Sequence, residues 1–569
     1  MKTQTTLLFL LLYAGVFAQK NALPEELTKS INERIAFGTN TSIVVGIIDA
    51  HGPQYYSFGT KTIGGVPVDE YTIYEIGSVS KTFTATLLAD NIIKGKMKAD
   101  DPISQYLPAS VHVPVYSGGG NPITLGNLSD HTSGLPRMPT NFAPADPNNP
   151  FADYTIERMY DFLSSYSLTR QVGAEFEYSN LAVGLLGTIE ALAAGKSYEE
   201  ILAQVITDPL KMKETGITLS DKMKSNLARG YSMGEEVENW DLGALQGAGA
   251  IRSSVHDMLI YISANMGLTK SSLDAAMTLA HTPRHDKAGG SLTGLGWFIE
   301  KGSQGDIIWH NGATGGYMSF AGFNVKTGKG VVVLTNSTSG VDDIGMHLLD
   351  SESLLKDVKP QVSFVLKQII DKEGAKGLVE KYKKLKADNP GKYDINENSI
   401  NSLGYQYMGK NEINAAEAVF KINVMEFPQS SNVYDSYGEA LLKNGHKEEA
   451  IYNYKKSLDL NPANANAIDI LAGLGETYMP AEVKVDQALL QRYTGIYELV
   501  PGFNIEISRD GDQLYAQATG QPRFEIYPKS DTEFYLKAFE AQILFTASPD
   551  GVVTLKLLQN GQSMPGRKI

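Results

Sequence analysis

Ser78 and Lys81 stand three residues apart in "YEIGSVSKTFTAT" (Tyr74 to Thr86). A serine hydroxyl is a poor nucleophile until a neighbour takes its proton. A lysine crowded by a helix N-terminus and shielded from water has its pKa pushed down, since both effects oppose its charge. The stretch reads as the start of a helix. Phe83, Leu87 and Leu88 give it an apolar face, and Gly95 stops it. Ser78 is expected as its N-cap, with Lys81 one turn on and facing the same way. A capping box would place Glu or Gln at that point. A cation there opposes the helix dipole, which marks Lys81 as wanted for chemistry. The helix start also offers the Ser78 N–H to a developing oxyanion. The spacing means little by itself: Ser353-Leu354-Leu355-Lys356 repeats it with no supporting company.

Two further elements could complete a site. In "EFEYSNLAVGLLG", Tyr178-Ser179-Asn180 leads into an apolar helix. A tyrosine near an ammonium favours its phenolate and can shuttle a proton to a leaving group. Asn180 is expected to orient Lys81 and to bond a substrate amide. Taken alone, Tyr178 reads as readily as a helix-start aromatic and Asn180 as a cap. In "IIWHNGATGGYMSFAGFNV", His310-Asn311-Gly312 ends one strand pattern and a Gly-rich turn leads to the next. Gly312 would let a substrate backbone approach the strand edge. The Ala313 N–H would pair with that of Ser78 around an oxyanion, and His310 would bond the substrate or tune the site.

Ser-x-x-Lys, then Tyr-x-Asn, then His-x-Gly on a late strand resembles the serine β-lactamase and penicillin-binding-protein superfamily in its class C branch, with its D-Ala-D-Ala carboxypeptidases, D-aminopeptidases and esterases. "LSDHTSGLP" (Leu128 to Pro136), "DPLKMKETGIT" (Asp208 to Thr218) and "GAGAIRSSVHDM" (Gly247 to Met258) resemble framework segments of the same branch. The resemblance covers roughly residues 25–345. It implies a Ser78 acyl-enzyme with Lys81 and Tyr178 as the base/acid pair. It also implies an antiparallel sheet built from both ends of the region around a helical cluster. Class C β-lactamases carry Lys-Thr-Gly where this chain has His310-Asn311-Gly312. A neutral histidine holds a β-lactam carboxylate less well than lysine, which points to the peptidase and esterase members. No candidate for the extra catalytic Glu of class A enzymes is present.

The chain's texture agrees with an α+β hydrolase domain followed by two others. "TSIVVGIIDAHG" and "YYSFGT" read as an early hairpin; "LGWFIEKG", "SFAGFNV" and "KGVVVLTNS" read as late strands, with helical patterns between. From Lys359 to Leu474 the texture is helical. Gly404 and Gly438, Ala416 and Ala450, Phe420 and Tyr454, and Pro428 and Pro462 each recur at an offset of 34 (438 − 404). That period resembles the tetratricopeptide repeat and offers a surface for a protein partner. From Val483 onward, "FNIEISRDGDQLYAQ", Asp550-Gly551 and Asn560-Gly561 signal hairpins of a small antiparallel sheet or barrel. The expected layout is a leader over 1–18, a β-lactamase/transpeptidase-like domain over 19–350, helical repeats over 359–475 and an all-β domain over 481–569.

Composition narrows the partners. A net charge of −14 without basic blocks disfavours nucleic acid and anionic lipid. Lys2, the apolar run Leu7 to Ala18 and small residues before Gln19 read as a cleaved secretory signal, so a periplasmic or secreted protein is expected, with no membrane insertion afterwards. The 569 residues contain no cysteine, which excludes disulfides, a thiol nucleophile and a Cys-linked lipid anchor. No cofactor or metal is implied; His281 and His285 are separated by Pro283, which argues against one helix face. The leading expectation is an exported serine hydrolase acting on a D-amino-acid peptide, a peptidoglycan fragment or a small ester. The competing readings are a true β-lactamase and a catalytically residual binding protein that uses its helical repeats.

Overall fold

The computed structural model describes residues 22–288, 290–478, 483–500, 503–536, 541–547, 552–559 and 562–569. The expected signal segment and the turns at Asp550-Gly551 and Asn560-Gly561 lie outside them. The chain divides into two compact units that part between Pro360 and Gln361.

The first unit is built on an eight-stranded antiparallel sheet. Strand Ser42–Asp49 pairs on one side with Gly52–Gly59 and on the other with Lys329–Thr335, so the two ends of the unit meet in the middle of one sheet. The order continues through Met318–Asn324, Gly305–Ala313, Phe298–Gly302, Ser291–Thr293 and His285–Ala288. "SIVVGIID" is apolar without alternation because both faces are covered. Ile43, Val45 and Ile47 face a cluster with Leu27 and Ile31 of helix Glu25–Ala36 and Ile344 of helix Asp342–Leu349. Those two terminal helices are tied by a buried Arg34–Asp343 ion pair at 2.5 Å.

Val44 and Ile48 face the other side, where helices Ser80–Ile93, Asn180–Ala194 and Val255–Asn265 form the large core. Gly46 is needed there: a Cβ would stand 2.5 Å from Val255 Cγ1. Phe83 stacks on Tyr261 at 3.9 Å between ring centroids, which locks helix Ser80–Ile93 between sheet and neighbouring helix. Every residue from Ser80 to Asp90 is buried. The helix is therefore buried all round, and its polar residues Ser80, Lys81, Thr82, Thr84 and Thr86 lie inside with Phe83, Leu87 and Leu88.

The second unit begins with helices. Glu397–Gly409 pairs with Ile413–Glu426, and Ser431–Lys443 with Lys447–Leu460. The recurring residues meet at equivalent places. A Cβ on Gly404 would reach the Phe420 ring at 2.5 Å, and one on Gly438 the Tyr454 ring at 3.2 Å. The unit ends in a closed eight-stranded antiparallel barrel, sealed where Tyr497 and Glu498 pair with Lys568 and Arg567. Its interior is filled by side chains, with Tyr493 stacked on Phe545 at 4.1 Å and Phe534, Ile505 and Leu555 around them. Asp510 pairs with Gln513 across a tight turn in which Gly511 takes φ +58°.

Candidate active site

Ser78 is not a helix N-cap. It lies in a 3₁₀ turn, Gly77–Val79, and the α-helix starts at Ser80 with no side-chain cap. The tighter turn places the hydroxyl one turn below Lys81 and leaves it free of the backbone. Lys81 Nζ donates to Ser78 Oγ at 2.9 Å and to the Ala248 carbonyl at 2.7 Å.

That carbonyl is aimed by the helix itself. Thr84 Oγ1 donates to the Gly247 carbonyl at 2.6 Å, and Ser80 Oγ accepts from Ile251 N at 3.1 Å. The segment between is thus pinned along the Lys81 face. Sequence reasoning gave the task of orienting Lys81 to Asn180. The structure gives it to Ala248, and the Asn180 amide nitrogen instead rests 3.8 Å from Met138 Sδ.

The Ser78 turn also depends on close backbone contact with the end of strand Gly305–Ala313. Gly77 has φ +49°, and a Cβ there would stand 2.7 Å from Ala313 N. A Cβ on Gly312 would stand 2.0 Å from the Ile76 carbonyl. The missing side chains at both positions are therefore required by this chain's own backbone. Ser319 Oγ donates to the same Ile76 carbonyl at 2.8 Å.

Tyr178 enters from a third element. Ser179 caps helix Asn180–Ala194, accepting from Ala182 N at 2.9 Å and donating to the Pro136 carbonyl at 2.7 Å. Asn180 N donates to the Arg137 carbonyl at 3.0 Å, and Ser179 N to His131 Nδ1 at 3.1 Å. The "HTSGLPR" loop and the Tyr178 segment are zipped together, with His131 at φ +64° and its ring centroid 4.5 Å from that of Tyr178. The Tyr178 ring centroid lies 5.0 Å from Lys81 Nζ and 6.3 Å from the His310 ring centroid.

The electrostatics divide the proton-handling roles. Burial, and secondarily the Arg137 charge, holds the Lys81 pKa well below its ordinary 10.5. Burial pushes Tyr178 up to about 12, outweighing its contact with the Ser78 hydroxyl and the Arg137 charge. The sequence-based expectation of a phenolate is thereby corrected. Desolvation beats the neighbouring cations, and the phenol keeps its proton. Burial and then Lys81 depress His310 to about 3, so its imidazole is neutral. Its Nδ1 donates to the Asn311 carbonyl at 2.5 Å, which leaves buried Nε2 as a bare acceptor.

A narrow cleft of about 40 Å³ opens at Ser78, walled by Phe151, Trp240, Leu242, Asn180 and Ala313. The Trp240 wall is fixed by a buried pair. Glu75 Oε1 accepts from Trp240 N at 3.0 Å and Arg252 Nη2 at 3.2 Å, while Arg252 Nη2 also donates to the Trp240 carbonyl at 2.8 Å.

Of the residues singled out by sequence, Ser78, Lys81, Tyr178, Asn180, His310, Gly312 and Ala313 all come together around this cleft and its edge. Missed were the Ala248 carbonyl, His131 and the cations Arg137 and Lys287. The first two lie within stretches already quoted as framework, whereas Lys287 sits on a short, polar edge strand. The second Ser-x-x-Lys is not helical; Lys356 N donates to Asp343 and the Ser353 carbonyl accepts from His347. Among the described residues no group of three or more His, Asp or Glu side chains could hold a metal ion.

The profile described as "Beta-lactamase" matches residues 35–353, and a domain of unknown function (DUF3471) matches residues 479–566. A protein named "Beta-lactamase" from Pseudomonas fluorescens is 29% identical over 327 residues, covering 51% of this chain and 87% of that protein. "D-alanyl-D-alanine-carboxypeptidase/endopeptidase AmpH" from Escherichia coli (strain K12) is 29% identical over 348 residues, covering 57% of this chain and 89% of its own. A solved class C β-lactamase superposes with a TM-score of 0.51 at 22% identity over 60% of this chain and 99% of that one, a likeness of fold.

Proposed function

The chain belongs to the β-lactamase family of serine hydrolases, class C-like, and we propose that it hydrolyses an amide or ester through an acyl-enzyme on Ser78. The observation that carries this is the Lys81 Nζ to Ser78 Oγ contact of 2.9 Å, made by a buried lysine. Lys81 in its neutral form takes the hydroxyl proton as Oγ bonds to the substrate carbonyl carbon. The Ser78 and Ala313 N–H groups hold the oxyanion. The bond to the leaving group breaks as the Tyr178 phenol gives it a proton, and Tyr178 is reprotonated from Lys81. Water then attacks the ester, its proton passing to the same pair, and Ser78 is released.

Asn180, at the cleft wall, bonds the substrate amide, and neutral His310 contributes its Nε2 acceptor. The favoured substrate is a D-amino-acid peptide, a peptidoglycan fragment or a small ester. Export through the segment 1–18 belongs to the same reading, and no described helix is long and apolar enough to cross a membrane. The 34-residue recurrence of Gly–aromatic crossings supports tetratricopeptide-like packing of the helices over 359–475, with a protein partner as its use.

A substrate panel tests the reading: nitrocefin, a D-Ala-D-Ala peptide and p-nitrophenyl acetate, each with wild type and Ser78→Ala. Turnover of the peptide or ester that disappears in Ser78→Ala supports it. Turnover that survives the substitution defeats it. The competing reading, a residual enzyme that binds a partner, requires that no member of the panel be turned over.

A further inference from the structure

Tyr178 carries the proton-donating step above, and its placement rests on a residue outside those steps. His131 lies just past the short helix Leu125–Ser129 and is buried. Glu177 N donates to the His131 carbonyl at 2.8 Å, and Ser179 N donates to His131 Nδ1 at 3.1 Å. The N–H groups of the residues before and after Tyr178 are thus held by one histidine, the first by its backbone and the second by its ring. The same ring lies against the phenol, with centroids 4.5 Å apart, against 6.3 Å for His310 and 6.4 Å for Phe298. A tyrosine side chain has two torsions, so fixing its backbone and one ring face fixes where its oxygen goes. A misplacement of about 1 Å in a reacting group costs about 10²-fold in rate.

The bond to Ser179 also fixes the state of the imidazole. Nδ1 accepts, so the ring proton sits on Nε2. A protonated ring would turn Nδ1–H against another N–H and open the clasp. Burial, and then the Lys81 charge, holds the His131 pKa well below its ordinary 6.5, so the neutral form is present. The backbone points the same way. Among the described residues only four other than glycine have positive φ, and His131 at +64° is one of them. Glycine would adopt that conformation without strain. The histidine bears the strain and brings the acceptor. The corner keeps its own shape by other means. Buried Asp130 accepts from Thr132 Oγ1 at 2.6 Å and from Arg284 Nε at 2.8 Å. Asn127 Nδ2 donates to Thr132 Oγ1 at 2.8 Å, and Gly173 N to the Thr132 carbonyl at 2.9 Å. Both neighbours of His131 are anchored independently, which leaves its ring to hold the Tyr178 segment.

We propose that His131 is a positioning residue for the proton donor: through its carbonyl and Nδ1 it holds the Tyr178 segment so that the phenol reaches the departing group. The inference rests on the Ser78 acyl-enzyme reading. It is separable from it, because it concerns how a variant's loss divides between two leaving groups.

The test uses the full chain and two esters, phenyl acetate and p-nitrophenyl acetate, compared in kcat/KM, which reports acylation. Phenoxide is a basic leaving group and needs a proton, whereas nitrophenoxide departs readily without one. His131→Ala is expected to lower kcat/KM about 10²-fold for phenyl acetate and less than about threefold for the nitrophenyl ester. His131→Gly, which relieves the backbone strain, repeats that pattern and serves if His131→Ala does not fold. Tyr178→Phe also gives it, and His131→Ala added to Tyr178→Phe changes neither value more than about twofold. His131→Asn returns most of the loss, because its side-chain oxygen takes the place of Nδ1 and Asn adopts the left-handed region readily. Equal losses on both esters, a full further loss in the Tyr178→Phe background, or His131→Asn no better than His131→Ala overturns the positioning role and leaves the Ser78 chemistry standing. Nitrophenyl ester turnover that is equal in Ser78→Ala and wild type overturns both.

Discussion

Lys81 reaches Ser78 as a buried amine held between the serine hydroxyl at 2.9 Å and the Ala248 carbonyl at 2.7 Å. Both partners accept a hydrogen bond, and neither supplies a negative charge. The site thus positions the lysine while leaving its proton poorly compensated, which is what a base near neutral pH requires.

The cost of that arrangement is measurable. The folded pKa of Lys81 lies below its unfolded value, so the folded state binds fewer protons. The penalty is full below the folded pKa and vanishes as pH rises through the ordinary value of 10.5. Lys81→Met is therefore expected to abolish acylation yet to raise stability at pH 7. Thermal melts from pH 6 to 11 check this: the gain should shrink toward the alkaline end, and a gain that grows with pH contradicts it.

The pH–rate profile should rise through the Lys81 ionisation, well below pH 10.5, and should fall only as Tyr178 approaches about 12. His310 is already neutral above about 3, so His310→Gln should leave the position of the rising limb nearly unmoved. Tyr178→Phe, which keeps the ring but removes the proton, should lower kcat about 10²–10⁴-fold. Stopped-flow rates across the pH range distinguish these outcomes.

Thr84 touches no substrate. Its bond to the Gly247 carbonyl aims Ala248 at Lys81, and its hydroxyl also meets the Tyr198 phenol at 2.7 Å. Thr84→Val should cost about 1–2 kcal/mol of stability and shift the Lys81-dependent limb of the pH profile. A stability loss with an unmoved limb would reduce Thr84 to packing alone.

Gly77→Ala should remove activity through the backbone. Its φ of +49° strains any side chain, and the new methyl would stand 2.7 Å from Ala313 N. The strain alone is about 1–2 kcal/mol. The expected variant folds with a displaced Ser78 and fails to label, which circular dichroism and acylation assays report together.

How much of this was legible in the sequence depends on the kind of group involved. The first hairpin and the late strands announced themselves through dense β-branched and aromatic runs, and those runs made the sheet closed by both ends visible. The short strand His285–Ala288 at the sheet edge and its neighbour Ser291–Thr293 carried no such signal, so Lys287 could not be placed near His310. The Ala248 carbonyl is a backbone group and leaves no mark in residue type. The Ser78 turn misled because a 3₁₀ entry and an N-cap share the same local residues. Tyr178 misled because proximity to cations is legible in motif order, whereas the degree of burial is not.

The central claim is a covalent bond to Ser78. Incubation with a fluorophosphonate or a fluorescent penicillin, followed by digestion and mass spectrometry, reads it directly. The expected result is a single adduct on the peptide containing Ser78, absent in Ser78→Ala and strongly slowed in Lys81→Met. An adduct mapped to another residue, or labelling of Ser78→Ala equal to wild type, would contradict it.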